Sequence, residues 1–201
     1  TGETFLSDYA GVKSYSMRRP LGVILAIAPF NFPLLLGIRK IGWAIAAGNT
    51  VILKPSEVTP VSGLKIAEVM TEAGLPPGVL NVLPADGKDL GDVLIADPRV
   101  KKVTFTGSTR VGQRIAETCA QYRTKVTLEM GGKNPLIVLN DADIEYAVNT
   151  AAFSNFMNQG QICMTGSRVI VEDGIYDEFV TRMTDKVKPV SYTHLTLPTR
   201  S

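Results

Sequence analysis

Cys163 lies in the stretch Asn158-Gln159-Gly160-Gln161-Ile162-Cys163-Met164-Thr165-Gly166, a run of glycines and amides between a helical and a strand-like segment. A cysteine on such a loop is a candidate nucleophile if a proton acceptor is held near it, and otherwise a structural thiol. The second cysteine, Cys119, falls in line with Val111 and Ile115 on a helical stripe and reads as core. The chain's single histidine, His194, stands close to its end, so an acceptor for Cys163 must be a carboxylate or a lysine. Glu129 is that candidate: Thr127-Leu128-Glu129-Met130-Gly131-Gly132-Lys133 puts it at a strand's end beside two glycines, where the alternative is a charged strand terminus. Asn31, in Pro29-Phe30-Asn31-Phe32-Pro33, is an amide whose backbone is fixed by two prolines, and a held amide N–H suits an oxyanion.

Two further segments carry phosphate and ribose chemistry. Phe105-Thr106-Gly107-Ser108-Thr109-Arg110-Val111-Gly112 runs from an apolar strand through a Gly-Ser turn into a helix. The unpaired N–H groups and positive dipole end of a helix N-terminus suit a pyrophosphate, while the plainer reading makes Ser108 an ordinary N-cap. Gln113 occupies the place of the lysine that a P-loop needs, and no GxGxxG is present, which argues against an NTPase and an ordinary Rossmann fingerprint. Lys54-Pro55-Ser56-Glu57 sets an amine and a carboxylate at the carboxyl end of a strand. Such a pair can bind ribose hydroxyls, with the carboxylate disfavouring a 2′-phosphate, or it can be a surface ion pair at a turn.

These residues need elements to hold them. Strand-like runs at 21–27, 51–53, 79–83, 103–106 and 125–128 alternate with helical patterns at 34–47, 61–73, 90–96 and 108–120. The rhythm predicts an α/β fold with a doubly wound parallel sheet and ligands at the carboxyl ends of its strands. Ahead of it, 13–19 alternates polar and bulky residues before Pro20 and suits an exposed edge strand or arm. Beyond Gly131-Gly132 follow a strand at 136–139, a helix at 143–156, a polar loop, a strand at 169–172 and a helix at 175–187. The expected organisation is an arm over 1–20, a nucleotide-binding domain over 21–132 and the opening of a second α/β domain over 133–189.

Composition narrows the function classes. The 201 residues are 45% hydrophobic and 20% charged, an ordinary globular mixture. With 21 basic against 19 acidic groups, the net charge of +2 gives none of the field that nucleic-acid binding requires. One histidine and two cysteines leave no basis for a histidine-based metal site, a Ser-His-Asp triad or a disulfide framework. The longest apolar run, 21–29, falls far short of the roughly 20 residues that span a bilayer. Nothing at the start reads as a targeting peptide, so a cytoplasmic location is expected. The last stretch, 190–201, reads VSYTHLTLPTRS and resembles a translated sequencing-library adapter; both ends read as cuts in a longer frame.

Taken together and in this order, PFNFP, KPSE, FTGSTRVG, LEMGGK and GQIC resemble the aldehyde dehydrogenase superfamily. The resemblance implies Cys163 as nucleophile, Glu129 as general base, and Asn31 with the Cys163 backbone N–H as oxyanion hole. It places Lys54 and Glu57 on the cofactor ribose, Gly107 and Ser108 at the pyrophosphate, Ile27, Pro29 and Phe30 beneath the cofactor, and Gly132 near the nicotinamide. It further implies oxidation of an aldehyde to the acid with NAD, NADP being possible, and a homo-oligomeric parent. Phe30 and the NQGQICM segment look like members acting on benzaldehyde- or vanillin-type aldehydes. Glu129 favours hydrolysis over transfer to coenzyme A, because the acyl-transferring branch lacks a glutamate at that position. Two readings compete: a dehydrogenase that passes its acyl group to coenzyme A, and a nucleotide-binding fragment without turnover.

Overall fold

The computed structural model describes residues 2–188; the adapter-like stretch 190–201, with His194, lies outside them. The chain forms two compact units, Thr1–Glu129 and Met130–Ser201, divided just ahead of the Gly131-Gly132 pair.

The first unit opens on a small antiparallel hairpin, β1 (Thr4–Phe5) against β2 (Ser14–Tyr15). Of the edge strand expected over 13–19, only Ser14 and Tyr15 are in β structure. The main sheet then forms from β3 (Val23–Ile27), β4 (Thr50–Lys54), β5 (Leu80–Val82), β6 (Val100–Gly107) and β7 (Lys125–Met130). Between them run α1 (Pro33–Ala46), α2 (Pro60–Glu72), α3 (Gly87–Ala96) and α4 (Thr109–Tyr122). The strand order is β5-β4-β3-β6-β7, with β4 and β6 both parallel to β3 and β5 parallel to β4. The chain therefore winds outward from β3 through β4 to β5, then returns to β3's other side as β6. The point between β3 and β6 is the switch at which doubly wound sheets bind ligands.

Both faces of the sheet are covered, and the side-chain period of two along β3 divides the core. Ile24, Ala26 and Ala28 pack with Val51, Leu53, Ile41 of α1 and Ile66 of α2. Leu25 packs on the other side with Val103, Phe105, Ile95 of α3, and Ile115 and Cys119 of α4. Leu25, Ala26, Ile41, Val51 and Val103 have no exposed surface, as expected of strands sandwiched between two helical layers. Helix boundaries follow local chemistry. α1 starts with Pro33 in its first turn, where the missing N–H costs nothing. It stops at Gly48, whose φ of 80° allows a Schellman closure: Gly48 N–H donates to Ile45 O (2.8 Å) and Asn49 N–H to Ala44 O (3.0 Å).

The second unit pairs β8 (Pro135–Val138) in parallel with β9 (Arg168–Val171). Their connection holds α5 (Ile144–Phe156), capped by Asp143, which accepts the Tyr146 N–H at 3.0 Å, and a 3₁₀ turn over Met157–Gly160. Past β9 comes α6 (Tyr176–Val187). Val138, Ala147, Val148, Ala151 and Phe179 form this unit's core.

Candidate active site

In the first unit, most of the residues singled out from the sequence gather at the ends of neighbouring strands. Ile27 closes β3, and the segment through Pro29, Phe30 and Asn31 leads from it into α1. Ile27 and Pro29 are half-buried and Phe30 is exposed. The Ala28 N–H donates to the Lys54 carbonyl at 3.0 Å, which ties this segment to the end of β4. Asn31 is half-buried; its Oδ1 accepts the Phe32 N–H at 3.2 Å, which fixes the plane of the carboxamide.

Lys54, the last residue of β4, is buried, and its Nζ lies 2.6 Å from Glu57 Oε1. It also donates to the Pro55 carbonyl at 3.2 Å. Glu57 Oε1 accepts the Gly87 N–H at 3.0 Å, so the carboxylate joins the turn after β4 to the first residue of α3. Partial burial works against ionisation of Glu57, but the hydrogen bonds from Lys54 and Gly87 outweigh it and hold the carboxyl below its ordinary value. Glu57 is therefore an anion at neutral pH.

Gly107 ends β6 and Ser108 caps α4, accepting the Val111 N–H at 3.4 Å. The cap leaves the rest of the first turn with N–H groups that have no intrahelical acceptor. Gly107 has a packing reason of its own: a Cβ there would stand 2.5 Å from the Phe105 ring, which is buried in the core.

Glu129 is exposed near the end of β7. Its charge reaches a group that the sequence did not single out, Lys40 of α1. Burial pulls the Lys40 ammonium down from 10.5 to about 8, Glu129 acts against that shift and Arg39 adds to it. Lys40 Nζ donates to Thr104 Oγ1 of β6 at 3.3 Å. Lys40 follows buried Gly37 by one turn and adjoins buried Ile41, which sets an amine on the helix's inner face.

In the second unit, Cys163 is an exposed free thiol on the loop after Met157–Gly160. Gly132 is exposed too, and a Cβ on it would stand 3.0 Å from Asn134 Oδ1. Asn134, also not singled out, donates from Nδ2 to the Cys163 carbonyl at 2.6 Å and to the Thr165 carbonyl at 3.1 Å. Cys119 is buried in the first unit, and burial pushes its thiol up, away from the reactive thiolate form. Among the described residues no cluster of three histidine, cysteine or acidic side chains is placed to hold a metal, and no helix is long and apolar enough to cross a membrane.

Comparison with known proteins identifies the family. The sequence model of the aldehyde dehydrogenase family matches residues 1–198. Phenylacetaldehyde dehydrogenase of Pseudomonas fluorescens is 48% identical over 85% of the chain, and vanillin dehydrogenase of the same species 46% over 93%. Mitochondrial succinate-semialdehyde dehydrogenase of Arabidopsis thaliana is 46% identical over 86%. The chain spans 34%, 39% and 33% of the lengths of these three relatives. Among solved structures, an aldehyde dehydrogenase of Brucella melitensis superimposes with a TM-score of 0.94 at 37% identity, covering 98% of this chain and 41% of that one. PnpE, described from Pseudomonas sp. WBC-3 and solved in complex with nicotinamide adenine dinucleotide, gives 0.91 at 46%, covering 94% and 39%. An NADP-dependent enzyme of Escherichia coli gives 0.91 at 42%, covering 93% and 39%.

Proposed function

We propose that this chain, which belongs to the aldehyde dehydrogenase family, is part of an enzyme that oxidises an aldehyde to its carboxylic acid with NAD(P) through a covalent cysteine intermediate. The observation that carries the reading is the loop that presents Cys163, exposed and tied through its carbonyl, in a chain matched to the family over residues 1–198.

The first unit has the chemistry that NAD(P) needs. Lys54 and Glu57, locked together at the end of β4, would hold the adenosine ribose hydroxyls, and Gly107 with the N-terminus of α4 capped by Ser108 would hold the pyrophosphate. Ile27, Pro29 and Phe30 would form the floor under the cofactor, and Gly132 would serve the nicotinamide end. An ionised Glu57 repels a 2′-phosphate, which favours NAD over NADP. The bound cofactor would supply a hydride acceptor.

The chain's own residues would do the rest. The Cys163 thiolate attacks the aldehyde carbon and forms a tetrahedral alkoxide. The Asn31 carboxamide and the Cys163 N–H stabilise that oxygen while the bond to hydrogen breaks. A thioester remains, and Glu129 takes a proton from the water that hydrolyses it, which releases the acid and regenerates Cys163. This use of a carboxylate as base fits a sequence whose only histidine is His194.

The named substrates of two relatives, phenylacetaldehyde and vanillin, support an aromatic aldehyde. We place the enzyme in the cytoplasm as a homo-oligomer without membrane or nucleic-acid partners. The test is NADH formation by the protein with benzaldehyde or vanillin, with and without coenzyme A. Turnover that is independent of coenzyme A supports the reading, strict coenzyme A dependence assigns the acyl-transferring chemistry, and an NAD-dependent rise in Tm without turnover assigns binding alone.

A further inference from the structure

The loop that carries Cys163 holds an unfavourable backbone. Asn158 (φ 50°, ψ 36°), Gln159 (φ 60°, ψ 28°) and Gly160 (φ 72°) are three successive left-handed residues, and two of them are not glycine. Glycine and asparagine tolerate this region, but a glutamine avoids it, so the turn at Gln159 persists where surrounding bonds over-determine it. The bonds are present. Gln161 N–H donates to Asn158 O at 3.1 Å, Thr165 Oγ1 to Gly160 O at 2.9 Å, and Gly166 N–H to Ser154 Oγ at 3.0 Å. These fasten the loop to α5 and across its own base. The nucleophile's residue itself is held by Asn134, through the carbonyls of Cys163 and Thr165.

We propose that Asn134 is a positioning residue for Cys163: its carboxamide clamps the loop over 158–166 so that the thiol and the backbone N–H of Cys163 keep one fixed geometry. The inference rests on the dehydrogenase reading for its catalytic consequence, and on the hydrogen bonds alone for its structural part.

Three features support the assignment. An asparagine amino group has two hydrogens, and the two carbonyls of the loop match them. Asn134 is itself held at the start of β8: its own carbonyl accepts the Arg168 N–H at 3.4 Å, and the Arg168 guanidinium donates to the Lys133 carbonyl at 2.9 Å. The clamp thus hangs from the β8–β9 pairing and not from another loop. Finally, the 3.0 Å approach of Asn134 Oδ1 to the position of a Gly132 Cβ makes room for the carboxamide a reason for glycine at 132. An aspartate at 134 would set a carboxylate against two carbonyl oxygens and have no hydrogen to give.

The test expresses the whole reading frame that encodes this chain and compares wild type with Asn134→Ala, Asn134→Asp and Asn134→Ser by peptide-resolved hydrogen exchange and by steady-state kinetics. In the alanine and aspartate variants, exchange over 158–166 is expected to rise at least about tenfold while α5 and α6 keep wild-type protection, because local opening is separable from global unfolding. In the same variants kcat is expected to fall roughly 10- to 100-fold with KM for the aldehyde within about threefold, since a displaced nucleophile loses orientation and not substrate affinity. The serine variant, with one donor in place of two, is expected to lie between and serves if the other two do not fold. Unchanged exchange over 158–166, or loss of protection spread evenly over 135–187, overturns the clamp. Wild-type kcat in a variant whose loop exchange has risen overturns the positioning role. A wild-type protein without turnover speaks against the dehydrogenase reading instead, and leaves the exchange data to decide the clamp.

Discussion

Lys54 Nζ and Glu57 Oε1 stand 2.6 Å apart at the end of β4, with the lysine buried and the carboxylate half-exposed and further held by the Gly87 N–H. The pair converts a strand terminus into a fixed donor and a fixed acceptor at the carboxyl end of the strand next to β3. It also links two crossover connections, because Gly87 opens α3.

Loss of the Glu57 charge should therefore weaken the turn, and with it cofactor binding if the pair holds the ribose as proposed. Its carboxyl sits below the ordinary 4.5, so its contribution to stability is complete above that pH and is lost as pH falls through the lower folded value. Glu57→Gln removes this acid-side loss. The expected result in urea titrations is a wild-type stability that drops more steeply than the variant's below pH 4.5. At pH 7, NAD binding by the variant is expected to be about tenfold weaker, the scale of one charge-assisted hydrogen bond, in a fluorescence titration.

Lys40 gives a dependence on the alkaline side. Its folded value of about 8 lies below the ordinary 10.5, so the unfolded chain binds more protons between those limits and stability should increase as pH rises from 8 towards 10. Lys40→Met should flatten that slope. Glu129→Gln should steepen it, because the carboxylate raises the Lys40 value and its removal widens the gap. The comparison is made by thermal or urea unfolding across pH 7.5 to 10, and equal slopes in all three proteins would refute the link between Lys40 and Glu129.

Two helical glycines separate packing from propensity. A Cβ at Gly63 of α2 would stand 2.8 Å from the ring of buried Pro55, in the Lys54–Glu57 turn, whereas a Cβ at Gly42 of α1 would meet nothing within 4 Å. Alanine at either position gains about 1 kcal/mol of helix propensity. Gly42→Ala is expected to stabilise by about 0.5–1 kcal/mol. Gly63→Ala, with about 1–3 kcal/mol of overpacking set against that gain, is expected to show no stabilisation or a net loss, together with weaker NAD binding through the displaced turn.

The role of Glu129 is separable from the first chemical step. If it activates the hydrolytic water, Glu129→Gln should release a stoichiometric burst of NADH and then slow by about 10²- to 10⁴-fold, with the acyl group retained on the enzyme. Rapid-mixing absorbance followed by intact mass reads both. A variant with an unaltered steady-state rate would remove Glu129 from the deacylation step.

The sheet was legible because each of its central strands must be apolar on both faces and each crossover must be a helix of matching length, as residues 21–27 and 34–47 announce. The tie between Asn134 and Cys163 was not, since a hydrogen bond between a strand's start and a distant loop leaves no periodic mark in the sequence. Lys40 beside Arg39 reads as an ordinary solvated helix position until the burial of Gly37 and Ile41 is known. The helix expected over 90–96 begins at Gly87, whose N–H is bonded to Glu57 thirty residues earlier in the chain. The arm expected over 13–19 forms β structure at Ser14–Tyr15 and one further bond, Ser16 N–H to Glu3 O at 2.8 Å, because its partner strand β1 is itself two residues long. In each case the sequence carried the local preference, and a partner distant along the chain set the boundary.

The proposed covalent role of Cys163 is tested most directly by expressing the whole reading frame that encodes this chain, supplying NAD and an aromatic aldehyde, and comparing wild type with Cys163→Ala and Cys119→Ala. The expected result is NADH formation by wild type and Cys119→Ala, none by Cys163→Ala, and an acyl mass trapped on the peptide containing Cys163 when Glu129 is also replaced by glutamine. NADH formation that survives Cys163→Ala, or an acyl group found elsewhere, would contradict the mechanism.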